Sequence, residues 1–279
     1  MTTSQLDKTE NQTKRVLTFR VNSPDLIAAL KAVQQAAQTA PRIEWNAINF
    51  ALNAEGVKLS TLDGFRISTY QIFLRDRLED GQFRISLEST KELISRLKNQ
   101  DCGVDVQAEI SGTVCSQSLR QDYSVCFSWG DGEEVHSVLT NLVGYPNLEN
   151  VIPRTFSSSV LLDRKVFLSG MKHLSACSGG DFTKIIFLSF IKDETGGDDH
   201  KVELSLTGGI VSASFRAIAI EGEGFKITLS SQFLLDPLRN LVSDRILLQA
   251  NSAESPAVII SPDEKYLGVV MPLTPTKTA

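Results

Sequence analysis

The side chains able to do chemistry are few in this sequence, and they stand far apart. The three histidines, His136, His173 and His200, have no ligand spacing between them. His173 follows Lys172 in a stretch of helical periodicity and reads as a surface residue rather than a ligand or base. The cysteines Cys102, Cys115, Cys126 and Cys177 form no C-x-x-C pair, and three lie in apolar or alternating runs, so they read as reduced structural thiols. Asp131, Glu133 and Glu134 cluster in WGDGEEV, ordinarily a solvated acidic turn. Asp63-Gly64 in TLDGFRI is a turn dipeptide. No G-x-S-x-G, phosphate loop or G-x-G-x-x-G between strand and helix is present. No nucleophile, base and oxyanion site assemble from these residues. The expectation is a protein that is not an enzyme and needs no cofactor or metal.

The elements that would position a site are better marked. At 279 residues, 42% hydrophobic and 22% charged, the chain can form two ordinary domains, each with its own core. No apolar run approaches membrane-spanning length, and residues 1–14, MTTSQLDKTENQTK, read as a polar tail without a signal-peptide core. A cytoplasmic protein is expected. The net charge of −5 argues against a protein that coats nucleic acid generally.

Periodicity gives a strand over 16–21, then Asn22-Ser23-Pro24 opening a helix to about residue 38 with Leu26, Ile27, Leu30 and Val33 on one stripe. Strands are expected over 45–52, 57–61, 65–74 and 83–87, a helix capped by Ser89 to about residue 98, and strands over 104–110, 114–119 and 123–129. The order then recurs: a strand over 157–162, and a helix capped by Asp163 carrying Val166, Phe167, Met171 and Leu174. Strands follow over 184–190, 202–206, 210–220 and 225–229, then a helix from Ser230 or Ser231, short or kinked at Pro237, and strands over 245–249, 257–261 and 266–271. Leu26, Leu30 and Lys31 match Phe167, Met171 and Lys172 at an offset of 141, and Phe83 to Leu87 match Phe225 to Leu229 at 142. Such constant register indicates duplication. The fold class is therefore α+β, with two tandem domains over 15–143 and 154–273, and a second tail over 274–279. Between the domains, 144–153 reads GYPNLENVIP. Two prolines hold it extended, and Leu148, Val151 and Ile152 pack it on both neighbours as a joint that fixes an angle.

Charge is uneven. The four helices, taken as 23–38, 89–98, 163–176 and 230–240, carry Lys31, Lys91, Arg96, Lys98, Arg164, Lys165, Lys172 and Arg239. Against these eight cations stand Asp25, Glu92, Asp163 and Asp236, leaving +4 on the helices and −9 on the rest. Either the charges coat the solvent face of each helix, or the helices face one cavity that attracts a polyanion.

Several phrases together resemble the bacterial sliding-clamp family, the beta subunit of DNA polymerase III. Leu62 to Ile67 (LDGFRI) is similar to that family's T-D-G-H-R-L turn, and Tyr145 to Pro153 (YPNLENVIP) to its F-P-D-Y-R-R-V-I/L-P connector. Ser231 to Asp236 (SQFLLD) resembles S-Y-L/V-L-D, and Val269 to Leu273 (VVMPL) resembles V-V-M-P-M. The resemblance implies domains of two helices packed on antiparallel sheets, with helices lining a channel around duplex DNA. The DNA-facing cations would be Lys31, Arg42, Lys91, Arg96, Lys98, Arg164, Lys165, Lys172 and Arg239. It also implies an interdomain groove for Q-L-x-L-F-type peptides of polymerases and the clamp loader. That groove would use Trp45, Gly64, Arg66, Ile67, Pro146, Val151, Phe182, Phe233, Pro256, Val270, Met271, Pro272 and Leu273, with Arg66 orienting the peptide. The family has three domains per chain and closes as a dimer, whereas this chain has two, resembling the middle and last. Phe65 replaces the histidine of the turn and Asn150 the second basic residue of the connector. One reading is a DNA sliding clamp closed by three copies. The other is a non-encircling monomer or dimer that binds clamp-binding peptides. An enzyme on this fold ranks below both.

Overall fold

A computed structural model describes residues 13–115, 118–177, 185–191, 200–206, 211–263 and 265–273. The first repeat runs β1 (Thr13–Asn22), α1 (Ser23–Gln38), β2 (Ala47–Asn53), β3 (Gly56–Leu62), β4 (Arg66–Phe73), β5 (Gly81–Ser86), α2 (Leu87–Leu97), β6 (Gly103–Cys115), β7 (Ser118–Trp129) and β8 (Glu133–Leu142). The second runs β9 (Ser158–Asp163), α3 (Arg164–Cys177), β10 (Ile185–Ile191), β11 (Lys201–Leu206), β12 (Ser212–Arg216), β13 (Ala219–Gly222), β14 (Lys226–Ser230), α4 (Ser231–Asn240), β15 (Arg245–Ala250), β16 (Ala257–Ile260) and β17 (Tyr266–Val270).

These strands form three antiparallel sheets, ordered β1-β6-β7-β8, β12-β11-β10-β14 and β13-β9-β15-β16-β17-β4-β3-β2-β5. The third crosses from one repeat to the other, because β17 pairs with β4 from Tyr266↔Tyr70 to Val270↔Arg66. The angle between repeats is thus held by a backbone ladder as well as by the connector. Each helix rests on strands from both sheets of its own repeat, and neighbouring helices touch in the order α2-α1-α4-α3. Most of the expected stripes is fully buried, with Leu26, Leu30 and Val33 of α1 and Phe167, Met171 and Leu174 of α3, whereas Ile27 is half-buried and Val166 is exposed.

Four local expectations change. The cap of α2 is Ser86, whose Oγ accepts from the Ser89 amide at 3.0 Å, while the Ser89 hydroxyl donates to the His136 carbonyl. Residues 114–119 are not a separate strand, since β6 and β7 extend to meet in a hairpin at Cys115↔Ser118. The expected strand over 210–220 is two, because the chain changes sheets between β12, paired with β11, and β13, paired with β9. Strand β8 was not legible from its pattern. Its inward side chains include Ser137, buried because its Oγ accepts from the Ser86 amide at 2.9 Å, while outward Val138 is exposed. The polar-in, apolar-out pair hides the alternation. Helix α4 runs past Pro237 to Asn240, and the Leu241 amide closes it on the Pro237 carbonyl.

Candidate functional site

The seam between the repeats carries a pocket of about 270 Å³. It brings together Trp45, Gly64, Arg66, Ile67, Pro146, Val151 and Met271 of the expected groove, and adds Leu62, Phe65, Asn147, Leu148 and Val269. The floor is the buried cluster of Leu62, Ile67 and Val269. The rim is apolar yet open to solvent, with Phe65 59%, Val151 50% and Met271 38% exposed.

One wall is the turn before β4. Asp63 Oδ1 accepts from the amides of Phe65 and Arg66 at 3.0 and 2.9 Å, and Gly64 takes φ +90°, a conformation that favours glycine. This turn leaves Phe65 pointing out, and its carbonyl accepts from the Met271 amide at 2.9 Å, extending the seam by one bond. The opposite wall is the connector, where Asn147 Oδ1 accepts from the Glu149 amide at 3.0 Å and caps a 3-10 turn over Leu148–Asn150. Beneath it lies Arg84, a buried arginine that sequence reasoning missed. It donates to the carbonyls of Glu44 and Val143 and lies over the rings of Tyr123 and Tyr145. Burial pushes the Tyr145 hydroxyl pKa well above its ordinary value.

Arg66, the residue expected to orient a peptide, lines the pocket from the first repeat. The residue is 4% exposed, and its guanidinium is taken up by the fold. Nε donates to Asp63 at 2.9 Å, one terminal nitrogen to Asp236 of α4 at 2.6 Å, and the other to the Gln35 carbonyl and Thr39 Oγ1, each at 3.1 Å. Asp236 also accepts from Gln232. Arg66 therefore locks the repeats together while lining the pocket.

Several expected groove residues lie outside the pocket lining. Phe233 is beyond Arg66, which sits 4.5 Å over its ring, and stacks with Phe65 at 6.5 Å. Val270 is buried beneath the seam, and the Leu273 amide donates to the Thr228 carbonyl at 2.8 Å. Pro256 and Pro272 do not line the pocket. Phe182 falls outside the described residues.

The helix cations divide into two groups. Arg96 pairs with Glu92 and Glu133, Lys165 with Asp244 at 2.9 Å, and Arg164 donates to the carbonyls of Leu238 and Ser243. That pairing holds the Asp244 carboxyl below its usual range. Arg42 lies over the Trp45 ring at 4.8 Å. Among the described residues no ion pair is formed by Lys31, Lys91, Lys98, Lys172 or Arg239. With the observed helix bounds Glu88 enters α2, while Lys98 and Asp163 fall at caps. Seven cations then face four carboxylates, and the +3 that remains equals the charge of α3 alone.

Tandem repeats of two helices on antiparallel sheets, fused through a shared sheet, define the fold of the DNA clamps. No family model matches the chain. Its sequence is 23% identical over 81% of its length to a beta sliding clamp of Synechococcus elongatus, and 24% identical over 89% to one of Helicobacter pylori. The chain spans 57% and 62% of the lengths of these two relatives. A crystal structure of the DNA polymerase III subunit beta from Pseudomonas aeruginosa matches at TM-score 0.74 and 17% identity, over 98% of this chain and 69% of that one. The resemblance to the bacterial sliding-clamp family holds in both sequence and fold. No helix among the described residues is long and apolar enough to cross a membrane.

Proposed function

We propose that the chain is a DNA sliding clamp that binds polymerase or clamp-loader peptides of Q-L-x-L-F type in the pocket at its seam. The observation that carries this reading is the pocket's composition: an exposed apolar rim of Phe65, Val151 and Met271 over a buried floor, assembled from both repeats and the connector. Short extended peptides anchor apolar side chains in such places. Calorimetry with a Q-L-x-L-F peptide tests it, the expected affinity being on the order of micromolar for a small anchor in a shallow site. Val151→Asp and Met271→Asp should each abolish binding; unchanged affinity in both would remove the pocket from the reading.

The duplication supports a way for copies to join around duplex DNA. Strand β8 closes the first repeat as β17 closes the second, and β12 occupies in the second repeat the place of β4 in the first. Both β8 and β12 are edge strands. Pairing β8 of one copy with β12 of the next would reproduce the β17–β4 seam, a head-to-tail contact that closes into a ring when the angles match. Three copies then supply six alike domains, with the exposed lysines of the helix layer turned to DNA.

A further inference from the structure

We propose that Cys126, Glu134 and His136 form a binding site for one divalent transition metal, zinc by preference, on the solvent face of the β1-β6-β7-β8 sheet. Cys126 on β7 and His136 on β8 are direct cross-strand partners, so their side chains share a face. Glu134 lies two residues before His136 on the same strand and so points the same way. Cys126 Sγ is 4.0 Å from His136 Nε2, which is 3.1 Å from a Glu134 carboxylate oxygen, and all three ligand atoms lie within 4.8 Å of one another. Zinc bonds of about 2.3 Å to thiolate and about 2.0 Å to imidazole, at tetrahedral angles, set such atoms roughly 3.5 Å apart. Binding therefore needs the sulfur–imidazole gap to close by about half an ångström and the sulfur–carboxylate gap, at most 4.8 Å, by no more than about 1.3 Å.

The donor set chooses the metal. A thiolate with an imidazole and one carboxylate suits zinc or cobalt and not the hard oxygen-seeking cations magnesium and calcium. The strands are held from behind by buried Val125, Phe127 and Val135, so the ligands stand on a packed ladder rather than a loop. Arg96, which donates to the Glu134 carbonyl, is paired with Glu92 and Glu133. The carboxylate of Asp105 is held by Arg20, and Gln107 and Ser128 complete the surroundings. The fourth position is thus left to water or an outside ligand. The metal-free thiol carries its proton at neutral pH, as free thiols do. Binding breaks its S–H bond, forms the metal–sulfur bond and releases the proton to buffer, with no change of oxidation state.

The site is remote from the seam and does not depend on the clamp reading. Titrating the full, chelator-treated chain with cobalt(II) should produce a thiolate-to-cobalt charge-transfer band at one equivalent, displaced by zinc. Cys126→Ser should abolish the band, and His136→Ala should weaken binding at least about tenfold, the size of effect that loss even of a ligand's supporting partner produces. Cys102→Ser should leave it intact. These exposed or half-exposed positions should keep the fold, checked by an unchanged melting curve. A band that persists in Cys126→Ser, or no uptake at tens of micromolar metal, means that Glu134 and His136 are a simple surface pair beside a bystander thiol, and overturns the site.

Discussion

The chain contains one completed junction between repeats and, at its extremities, the two strands that would make another. In the completed junction β17 pairs with β4; β8 and β12, their counterparts, are edge strands. The hairpin entering β4 closes through the Asp63 amide on the Arg66 carbonyl at 3.2 Å, and the one entering β12 through the Leu206 amide on the Val211 carbonyl at 3.2 Å. Val211 therefore stands where Arg66 does, and Leu206 where Asp63 does. Among the described residues the buried ionic lock belongs to the internal junction. Desolvating such a cluster is costly and holds only while every partner is in place, which suits a contact formed once during folding. An apolar counterpart can open without stranding a buried charge. On the proposed assembly, the inner seam is permanent and the outer one reversible.

The largest effect should come from breaking the lock. Arg66→Ala leaves Asp63 and Asp236 buried without their cation and should cost about 3–5 kcal/mol in urea unfolding, the range for removing one partner of a buried pair. Val211→Ala, at the matching place in the second repeat, should cost about 1 kcal/mol. Equal losses would erase the difference between the junctions.

High pH should attack the same seam. Tyr266 and Tyr70 face each other across it. Burial pushes both phenols up to about 12, Tyr70 with help from Asp263 and Asp25. The folded chain keeps these protons after the unfolded chain has lost them, so stability is full below the ordinary value near pH 10 and falls as pH rises through 12. Urea midpoints at pH 8 and pH 11 check this. Tyr266→Phe should shrink the fall, and a fall unchanged by both Tyr266→Phe and Tyr70→Phe would locate the sensitivity elsewhere.

What the sequence made legible was what periodicity carries. The duplication, α1 and α3 with their stripes, and the apolar character of the seam all follow from spacing. The lock did not, because Arg66 and Asp236 are 170 residues apart and a strand arginine looks like a solvent-facing residue until its partners are known. Arg84 was missed for the same reason. Strand β8 was hidden by Ser137, polar and buried, beside Val138, apolar and exposed. Cys126, Glu134 and His136 showed no ligand spacing because they meet across a ladder rather than along the chain.

The smallest effect concerns the helix layer. Lys91→Glu and Lys172→Glu should leave stability within about 0.5 kcal/mol, as surface changes do. Each should reduce the salt dependence of DNA association by about one phosphate contact. Charge reversal at Glu221 and Glu223, away from the helices, should leave that slope unchanged; a like effect from both sets would mean that the helices do not face DNA.

Mass in solution by light scattering, from about one to tens of micromolar protein at low salt, tests the central claim most directly. One chain is 30.6 kDa. If the repeats close head to tail through β8 and β12, the mass rises with concentration towards three chains, about 92 kDa. Val138→Lys, a charge placed on the β8 edge, should hold it at one chain. A mass that stays at one chain throughout for the unaltered protein, or that stops at two, contradicts the ring.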